Sequence, residues 1–428
     1  MSERPRIVII GGGFGGLYAA RALRRADADV TLIDRTNHHV FQPLLYQVAT
    51  ATLTPSDVAA PIRWLLRRQK NTEVVLCDVT SIDPNARVVT CADGRSFDYN
   101  FLIVAAGARH SYFGHNEWEM FAPGLKSVED AITLRRRWLT AFERAEIATD
   151  ERDRRENMTF VIIGGGPTGV ELAGMLPTIA RFALPGDFRH IDTAKARIIL
   201  IEGGARLLPA FPEDLSERAR QDLIELGVEV RLDSRVTNVG DGFVDIGSER
   251  IDARTIFWAA GNVASSLGAS LDAELDRMGR VVVKEDLSVA AHPEVFVIGD
   301  MAVLYTGGKP VPGVAPAAMQ SGRTAARNVV HSIRGEGRER FHYRNKGDLA
   351  TIGRYKAVGV LAGKHLSGWL AWWTWLLVHI MYLAGFRNRL SVLLEWGYSF
   401  FTFERGSRLI TAPAPRADSF APPPNTRR

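Results

Sequence analysis

The sequence predicts an α/β protein built on two parallel sheets, followed by a helical C-terminal segment. Three observations carry that reading. Gly11-Gly12-Gly13-Phe14-Gly15-Gly16 follows the apolar run Arg6-Ile7-Val8-Ile9-Ile10 and opens a helical stretch. Gly164-Gly165-Gly166-Pro167-Thr168-Gly169 follows Phe160-Val161-Ile162-Ile163 and opens another, about 150 residues later. From residue 366 onward the composition changes, with five of the nine tryptophans lying between 369 and 396. Both turns read GxGxxG, at Gly11/Gly13/Gly16 and at Gly164/Gly166/Gly169. Such a strand–turn–helix lets backbone N–H groups reach a pyrophosphate at a helix N-terminus. One copy is a weak sign. Two copies imply two Rossmann-like domains that bind two dinucleotides, and two dinucleotides imply electron transfer between them.

Composition sets the outer bounds. A chain of 428 residues suggests two or three domains. Its 46% hydrophobic and 24% charged residues are ordinary for a globular protein. Cys77 and Cys91 are the only cysteines, which excludes a disulfide scaffold and a multi-cysteine cluster, and no metal site is read from the sequence. They are expected to be two small buried residues in a strand–turn region away from the motifs. The net charge is +5, yet no basic run with interleaved aromatics occurs, so nucleic acid is not an expected partner. The first strand starts near Arg6, which leaves no room for a secretory leader ahead of it, so folding in the cytoplasm is expected.

Taken in order, residues 6–34 read as strand, glycine turn, helix (Gly15 to about Arg25) and strand (Val30–Ile33). Asp34 ends that strand 18 positions after Gly16, where a carboxylate accepts hydrogen bonds from both hydroxyls of an adenosine ribose. The alternative is a solvated turn aspartate. Phe101–Val104 is a short strand running into Ala105-Ala106-Gly107. Ser127 to about Thr149 is a helix, with Ser127 and Asp130 forming a capping-box variant. A second strand–turn–helix starts at Met158 and carries Glu171 one turn past its glycines. A loop from Leu184 to Asp187 and beyond delays the strand Arg197–Ile201, which Glu202 ends; the interval from Gly169 exceeds the usual ~20 residues because of this loop. Residues 228–257 alternate short strands with polar turns and close on Trp258-Ala259-Ala260-Gly261, an echo of Val104 to Gly107. Val295–Ile298 is a buried strand ending at Gly299-Asp300, and a helix follows from about Pro316 to Arg334.

The last part differs in kind. Leu366 to Phe386 holds no formally charged residue over 21 positions, just enough for a bilayer crossing. Trp369, Trp372, Trp373 and Trp375 crowd one end, and tryptophan favours the membrane–water boundary, so a segment lying in the interface is the expectation. Next, Leu390, Leu393, Leu394, Gly397, Phe400 and Phe401 form one apolar helical stripe. Arg387, Arg389, Arg405 and Arg408 flank it and would meet anionic headgroups. A dimer interface, a helix packed on the domain and a true span are the alternatives. Beyond Ala412 the Pro-rich tail is expected to be disordered.

The order GGGFGG, Asp34, GGGPTGVELAG, WAAG and VIGD resembles the two-dinucleotide flavoprotein disulfide-reductase superfamily. More narrowly, His38-His39-Val40-Phe41-Gln42-Pro43-Leu44-Leu45-Tyr46-Gln47-Val48-Ala49 resembles the type II NADH dehydrogenases, and the likeness runs from residue 6 to about 410. It implies FAD on the first domain, NADH on the second, and membrane quinone as acceptor. By position, Gly11, Gly13, Gly16 and Asp34 would serve FAD, with Asp300 at its ribityl–phosphate region and Ala318 allowing close approach to its ring. Gly164, Gly166, Gly169 and Gly261 would serve NADH, and Glu202 would bind its ribose and repel a 2′-phosphate. Glu171 matches a family glutamate near both rings, where a buried carboxylate orients nicotinamide or relays a proton. The family's quinone motif AQxAxQ stands here as Ala315-Pro316-Ala317-Ala318-Met319-Gln320; Gln320 matches and can donate to a quinone carbonyl, whereas Pro316 replaces the first glutamine.

The resemblance implies parts of an FAD domain at 1–124 and 263–345, an NADH domain at 125–262, a membrane-associating domain at 346–412 and a tail at 413–428. The expected reaction is NADH oxidation with quinone reduction and no proton pumping, needing no protein nucleophile. This agrees with the lack of a cysteine pair at Gln42–Gln47, where disulfide reductases carry theirs. The expected place is the cytoplasmic face of the cell membrane, peripheral, on an anionic bilayer surface, with a homodimer implied by resemblance alone. The rival readings are an NAD(P)H flavin reductase with a soluble acceptor and an NADH-responsive redox sensor.

Overall fold

The computed structural model describes residues 4–306, 308–383, 385–402 and 408–411. The expected disordered tail 413–428 and Arg405 lie outside the described residues, as do the side chains of Arg387, Phe400 and Phe401. The chain divides into two compact units, the described parts of Met1–Val40, Ala59–Ser111 and Asn262–Lys346, and those of Phe41–Val58, Tyr112–Gly261 and Gly347–Arg428.

The first unit is a five-stranded parallel sheet. Its order is Val295–Val297, Phe101–Val104, Arg6–Ile10, Asp29–Asp34, Thr72–Leu76. Arg6–Ile10 is apolar at four successive positions because both sheet faces are covered, and those four residues are buried. Ile9 lies between Leu32 and Ile103. The strand order reverses beside Arg6–Ile10, and that reversal is where such sheets bind ligands, at the carboxyl ends of the strands. The helix Phe14–Ala22 starts there and lies against the helix Ala315–Ile333. A Cβ on Gly322 would stand 2.3 Å from the Gly15 carbonyl oxygen, so that helix crossing requires glycine. Val79–Asp83, Val88–Cys91 and Ser96–Asp98 form a separate three-stranded antiparallel sheet that follows the end strand Thr72–Leu76 in the chain.

The second unit repeats the design with four parallel strands, ordered Val228–Arg231, Arg197–Ile201, Thr159–Ile163, Thr255–Trp258. Ile162 lies between Leu200 and Phe257, as Ile9 does in the first sheet. The helix Pro167–Phe182 begins with proline in its first turn, where the missing N–H has no partner to lose. The helix Val128–Ile147 is closed by the capping box read from the sequence: Asp130 N–H donates to Ser127 Oγ at 3.1 Å, and Ser127 N–H donates to Asp130 Oδ2 at 2.9 Å.

The same unit includes a three-stranded antiparallel sheet, Asp348–Thr351, Ala357–Leu361 and Lys364–Ser367, followed by the helices Gly368–Tyr382 and Phe386–Thr402. The uncharged run is therefore split between a strand end and a helix of 15 residues. No helix among the described residues is long and apolar enough to cross a membrane. Helix Gly368–Tyr382 buries Ala371, Trp375 and Leu376 on one side and exposes Trp369, Leu370, Trp373, Leu377 and Met381 on the other. Helix Phe386–Thr402 buries Val392 and exposes Leu390, Leu393, Leu394 and Tyr398.

Candidate dinucleotide sites

The two glycine turns are alike atom for atom. Gly11 has φ +99° and Gly164 φ +112°, a left-handed conformation that favours glycine. Their N–H groups donate to Ile33 O at 2.7 Å and Ile201 O at 2.8 Å. A Cβ on Gly16 or on Gly169 would lie 1.8 Å from the carbonyl oxygen of Gly11 or Gly164, so each helix meets its turn with no room for a side chain. Gly13 and Gly166 differ: no atom lies within 4 Å of where their Cβ would stand. Each is the N-cap of its helix, neither helix has a side-chain cap, and neither first turn is acidic. Such ends leave backbone N–H groups directed outward and suit an anion. Each turn has the open space and the outward N–H groups that a dinucleotide pyrophosphate requires.

The acidic residues close the turns in parallel. Asp34 Oδ2 accepts from Gly12 N–H at 2.5 Å, and Glu202 Oε2 accepts from Gly165 N–H at 2.6 Å. The second oxygens accept from Thr36 N–H at 2.6 Å and Gly204 N–H at 2.7 Å. Each carboxylate therefore stands at its turn in a fixed orientation, and the longer route from Gly169 to Glu202 does not alter the geometry. The Ala-Ala-Gly echo has a structural cause as well. Ala105 and Ala259 pack their backbones on Gly11 and Gly164, and Gly107 and Gly261 then turn with φ +70° and +74°.

In the first unit, Asp300 lies in a short 3-10 turn, Gly299–Met301, and Gly299 approaches Ala318 at the start of helix Ala315–Ile333. Asp300, Ala318 and the first glycine turn are thus brought to one end of the sheet. Gln320 has a partner that its sequence position does not announce. Its Nε2 donates to Arg344 O and its Oε1 accepts from Arg344 N–H, both at 3.0 Å. The amide is braced at both ends on the Arg344 backbone, and its second Nε2 N–H remains able to donate.

In the second unit, Glu171 is buried, and desolvation pushes its carboxyl well above the usual carboxylate range, opposed only in part by the Thr351 N–H. Burial therefore favours the protonated carboxyl. The hydroxyl of Thr351 shares a 2.9 Å bond with Tyr46 Oη, Gln47 Nε2 donates to Tyr46 Oη at 3.0 Å, and Trp396 Nε1 donates to Gln47 Oε1 at 2.7 Å. This chain joins the last helix to the strand that touches Glu171. Sequence reasoning quoted Tyr46 and Gln47 only as part of a motif, and their partners lie some 300 positions away.

His39, Cys77, Arg389 and Arg408 make contacts that the sequence reading does not assign. His39 is buried with Nδ1 at 3.0 Å from Gly12 O, bracing the first turn, and burial lowers its pKa to about 4. The run of two histidines was the signal for it. Cys77 and Cys91 are buried and free, as expected, but Cys77 is not remote from the motifs: its N–H donates to Asp34 O at 2.9 Å. The strand Thr72–Leu76 pairs with Asp29–Asp34 and delivers it there. Arg389 and Arg408, expected at lipid headgroups, are engaged within the unit: Arg389 donates to Leu383 O at 2.9 Å, and Arg408 donates to Ala183 O at 2.7 Å and pairs with Asp187.

Residues 5–322 match the pyridine nucleotide-disulphide oxidoreductase family and residues 345–405 the NDH2 C-terminal domain. The chain is 45% identical to the type II NADH:quinone oxidoreductase NdhA of Mycobacterium tuberculosis over 96% of this chain and 90% of that protein. It is 30% identical to a Staphylococcus aureus type II NADH:quinone oxidoreductase over 86% of this chain and 92% of that one. Its fold is similar to a Plasmodium falciparum NDH2 solved with NADH, with a TM-score of 0.86 at 20% identity, covering 96% of this chain and all (100%) of that one. The chain belongs to the type II NADH:quinone oxidoreductases, FAD-dependent enzymes that oxidise NADH and reduce quinone without pumping protons.

Proposed function

We propose that this protein carries out that reaction at a membrane surface, with FAD at the first glycine turn, NADH at the second, and Glu171 as the proton-holding group. The observation that carries the reading is the repeated turn, two cradles of the same geometry each closed by a carboxylate. FAD, when bound, supplies the redox chemistry, accepting hydride from NADH and delivering two electrons to quinone. The protein binds and orients. Gly13 and Gly166 leave room for the two pyrophosphates, Asp34 and Glu202 receive the ribose hydroxyls, and Asp300 and Ala318 serve the flavin end. Reduction of quinone by NADH consumes one proton, and Glu171, whose protonated form burial favours, is the group suited to hold it. Gln320, held on the Arg344 backbone by two bonds, keeps a second Nε2 N–H to offer a quinone carbonyl.

The exposed apolar faces of Gly368–Tyr382 and Phe386–Thr402 support peripheral attachment to a bilayer at the cytoplasmic face of the cell membrane. A soluble acceptor needs no such face. The homodimer rests on resemblance, and light scattering of the detergent-free protein tests it by mass. Removing residues 366–428 would be a poor membrane test, because Trp375, Leu376 and Val392 are core residues and Trp396 and Ser391 bond to Gln47 and Asp57. Leu377→Glu with Leu394→Glu alters exposed positions only. This variant is expected to lose flotation with anionic vesicles and turnover with long-tailed quinone while keeping reduction of a small soluble quinone. Equal loss of both activities would remove the membrane role. For the reaction itself, NADH added anaerobically bleaches the flavin absorbance and quinone restores it within a turnover; bleaching without recovery would favour a sensor.

A further inference from the structure

Cys77, Cys91 and Asp93 have no part in the electron transfer described above. They meet where the strands Val79–Asp83 and Val88–Cys91 begin and end, with Val79 opposite Cys91 and Ala92 N–H donating to Asp78 O at 2.8 Å. One ligand atom from each side chain lies within 4.8 Å of the other two. Cys77 Sγ is 3.5 Å from Asp93 Oδ1. A tetrahedral zinc ion holds sulfur at ~2.3 Å and carboxylate oxygen at ~2.0–2.2 Å, which sets those two atoms about 3.5 Å apart. One edge of a coordination tetrahedron therefore already has its length.

We propose that Cys77, Cys91 and Asp93 form a binding site for a thiophilic divalent cation of the zinc type, with the fourth position open to solvent on the Asp93 side. Charge supports a divalent ion. Two thiolates and a carboxylate carry three negative charges, and Arg95, whose guanidinium is 2.7 Å from Asp93 Oδ2, returns one. A divalent cation brings the cluster to neutrality, where a monovalent one leaves a buried negative charge. Arg95 also donates to Leu76 O at 2.9 Å, so it holds Asp93 against the strand end with Oδ1 turned to Cys77. Binding displaces one proton from each thiol to solvent, with no electron transferred. The two thiols are buried and the carboxylate is exposed, so an ion enters past Asp93. Because Cys77 N–H donates to Asp34 O, the ion would fasten this edge of the first unit to the strand end that carries the ribose carboxylate.

The test uses the full-length, FAD-loaded protein kept reduced and titrated with cobalt(II), read as the difference from the same protein without metal so that the flavin cancels. The expected result is one cobalt per chain with a thiolate-to-metal charge-transfer band that zinc displaces, and two thiols that react before metal but not after. The chain has only two cysteines, so the band has no other source. Cys77→Ser and Cys91→Ser should each abolish it, and Asp93→Asn should weaken cobalt binding at least about tenfold. Should Cys91→Ser fail to fold, Asp93→Asn, at an exposed position, carries the decision. Absence of the band at one equivalent of cobalt, its survival in Cys77→Ser, or unchanged affinity in Asp93→Asn would overturn the proposal.

Discussion

Adding one methyl group at Gly169 separates the two nucleotide roles more sharply than any truncation. In Gly169→Ala the new Cβ would start 1.8 Å from Gly164 O and 3.0 Å from its carbonyl carbon. Ordinary contact needs about 3.4 Å, so the second turn must open by roughly 1.5 Å or the helix must retreat, an overpacking that costs about 1–3 kcal/mol. The N–H groups at the start of Pro167–Phe182 then miss the pyrophosphate. A hydrogen bond to a charged group contributes about 1.5–3 kcal/mol, so loss of two raises the NADH dissociation constant at least about a hundredfold. The assay is anaerobic stopped flow, with the rate of flavin bleaching followed against NADH concentration. FAD content should be unchanged, because the first turn is untouched. Gly16→Ala, whose Cβ would stand 1.8 Å from Gly11 O, should show the reverse and purify without flavin colour. Circular dichroism guards against a general loss of fold. The reasoning fails if Gly169→Ala saturates at wild-type NADH concentrations, or if it loses FAD while binding NADH normally.

Glu202→Gly removes the carboxylate anchored on Gly165 and Gly204 and should reduce the preference for NADH over NADPH about tenfold; an unchanged ratio of kcat/KM values would move the ribose role elsewhere. Glu171→Gln keeps the side-chain shape but cannot pass a proton, and is expected to lower quinone turnover about 10²-fold or more with FAD and NADH still bound; full turnover would leave Glu171 an orienting group. The same variant tests linkage. Folded Glu171 keeps a proton that the unfolded chain releases near 4.5, so its contribution is full below that pH and fades as pH rises toward the raised folded value; the Tm advantage of Glu171→Gln should therefore grow with pH. His39 and His379 run the other way. Burial lowers both to about 4, so their contribution is full above 6.5 and lost as pH falls from 6.5 to 4, on the order of 3 kcal/mol each. His379→Phe should flatten its share of that decline in Tm, and an acid limb as steep as the parent's would assign the loss to other groups.

What was legible in the sequence depended on whether its cause was local. The strands Phe101–Val104 and Arg197–Ile201 match their predicted bounds because a run buried on both faces needs only apolar side chains at neighbouring positions. The glycines are readable for a similar reason, since a turn that admits no Cβ tolerates one residue type. The echo of Ala105-Ala106-Gly107 in Ala259-Ala260-Gly261 shows that even a tertiary contact is legible when the fold makes it twice. What is not legible in the sequence is which partner tertiary structure supplies. Gln320 has the residue type of a quinone donor, and its amide is also braced on the Arg344 backbone, which nothing between positions 320 and 344 announces. Glu171 is read from the sequence as a buried carboxylate and is buried, but its partner is not legible there: the strand Asp348–Thr351, about 180 positions later, supplies the Thr351 N–H. Arg408 reads as a headgroup contact until Asp187, supplied by the loop that lengthens the route to Glu202, pairs with it. Residue type and spacing therefore identify the chemistry a side chain can do, while the chain folded around it decides whether that chemistry is already committed.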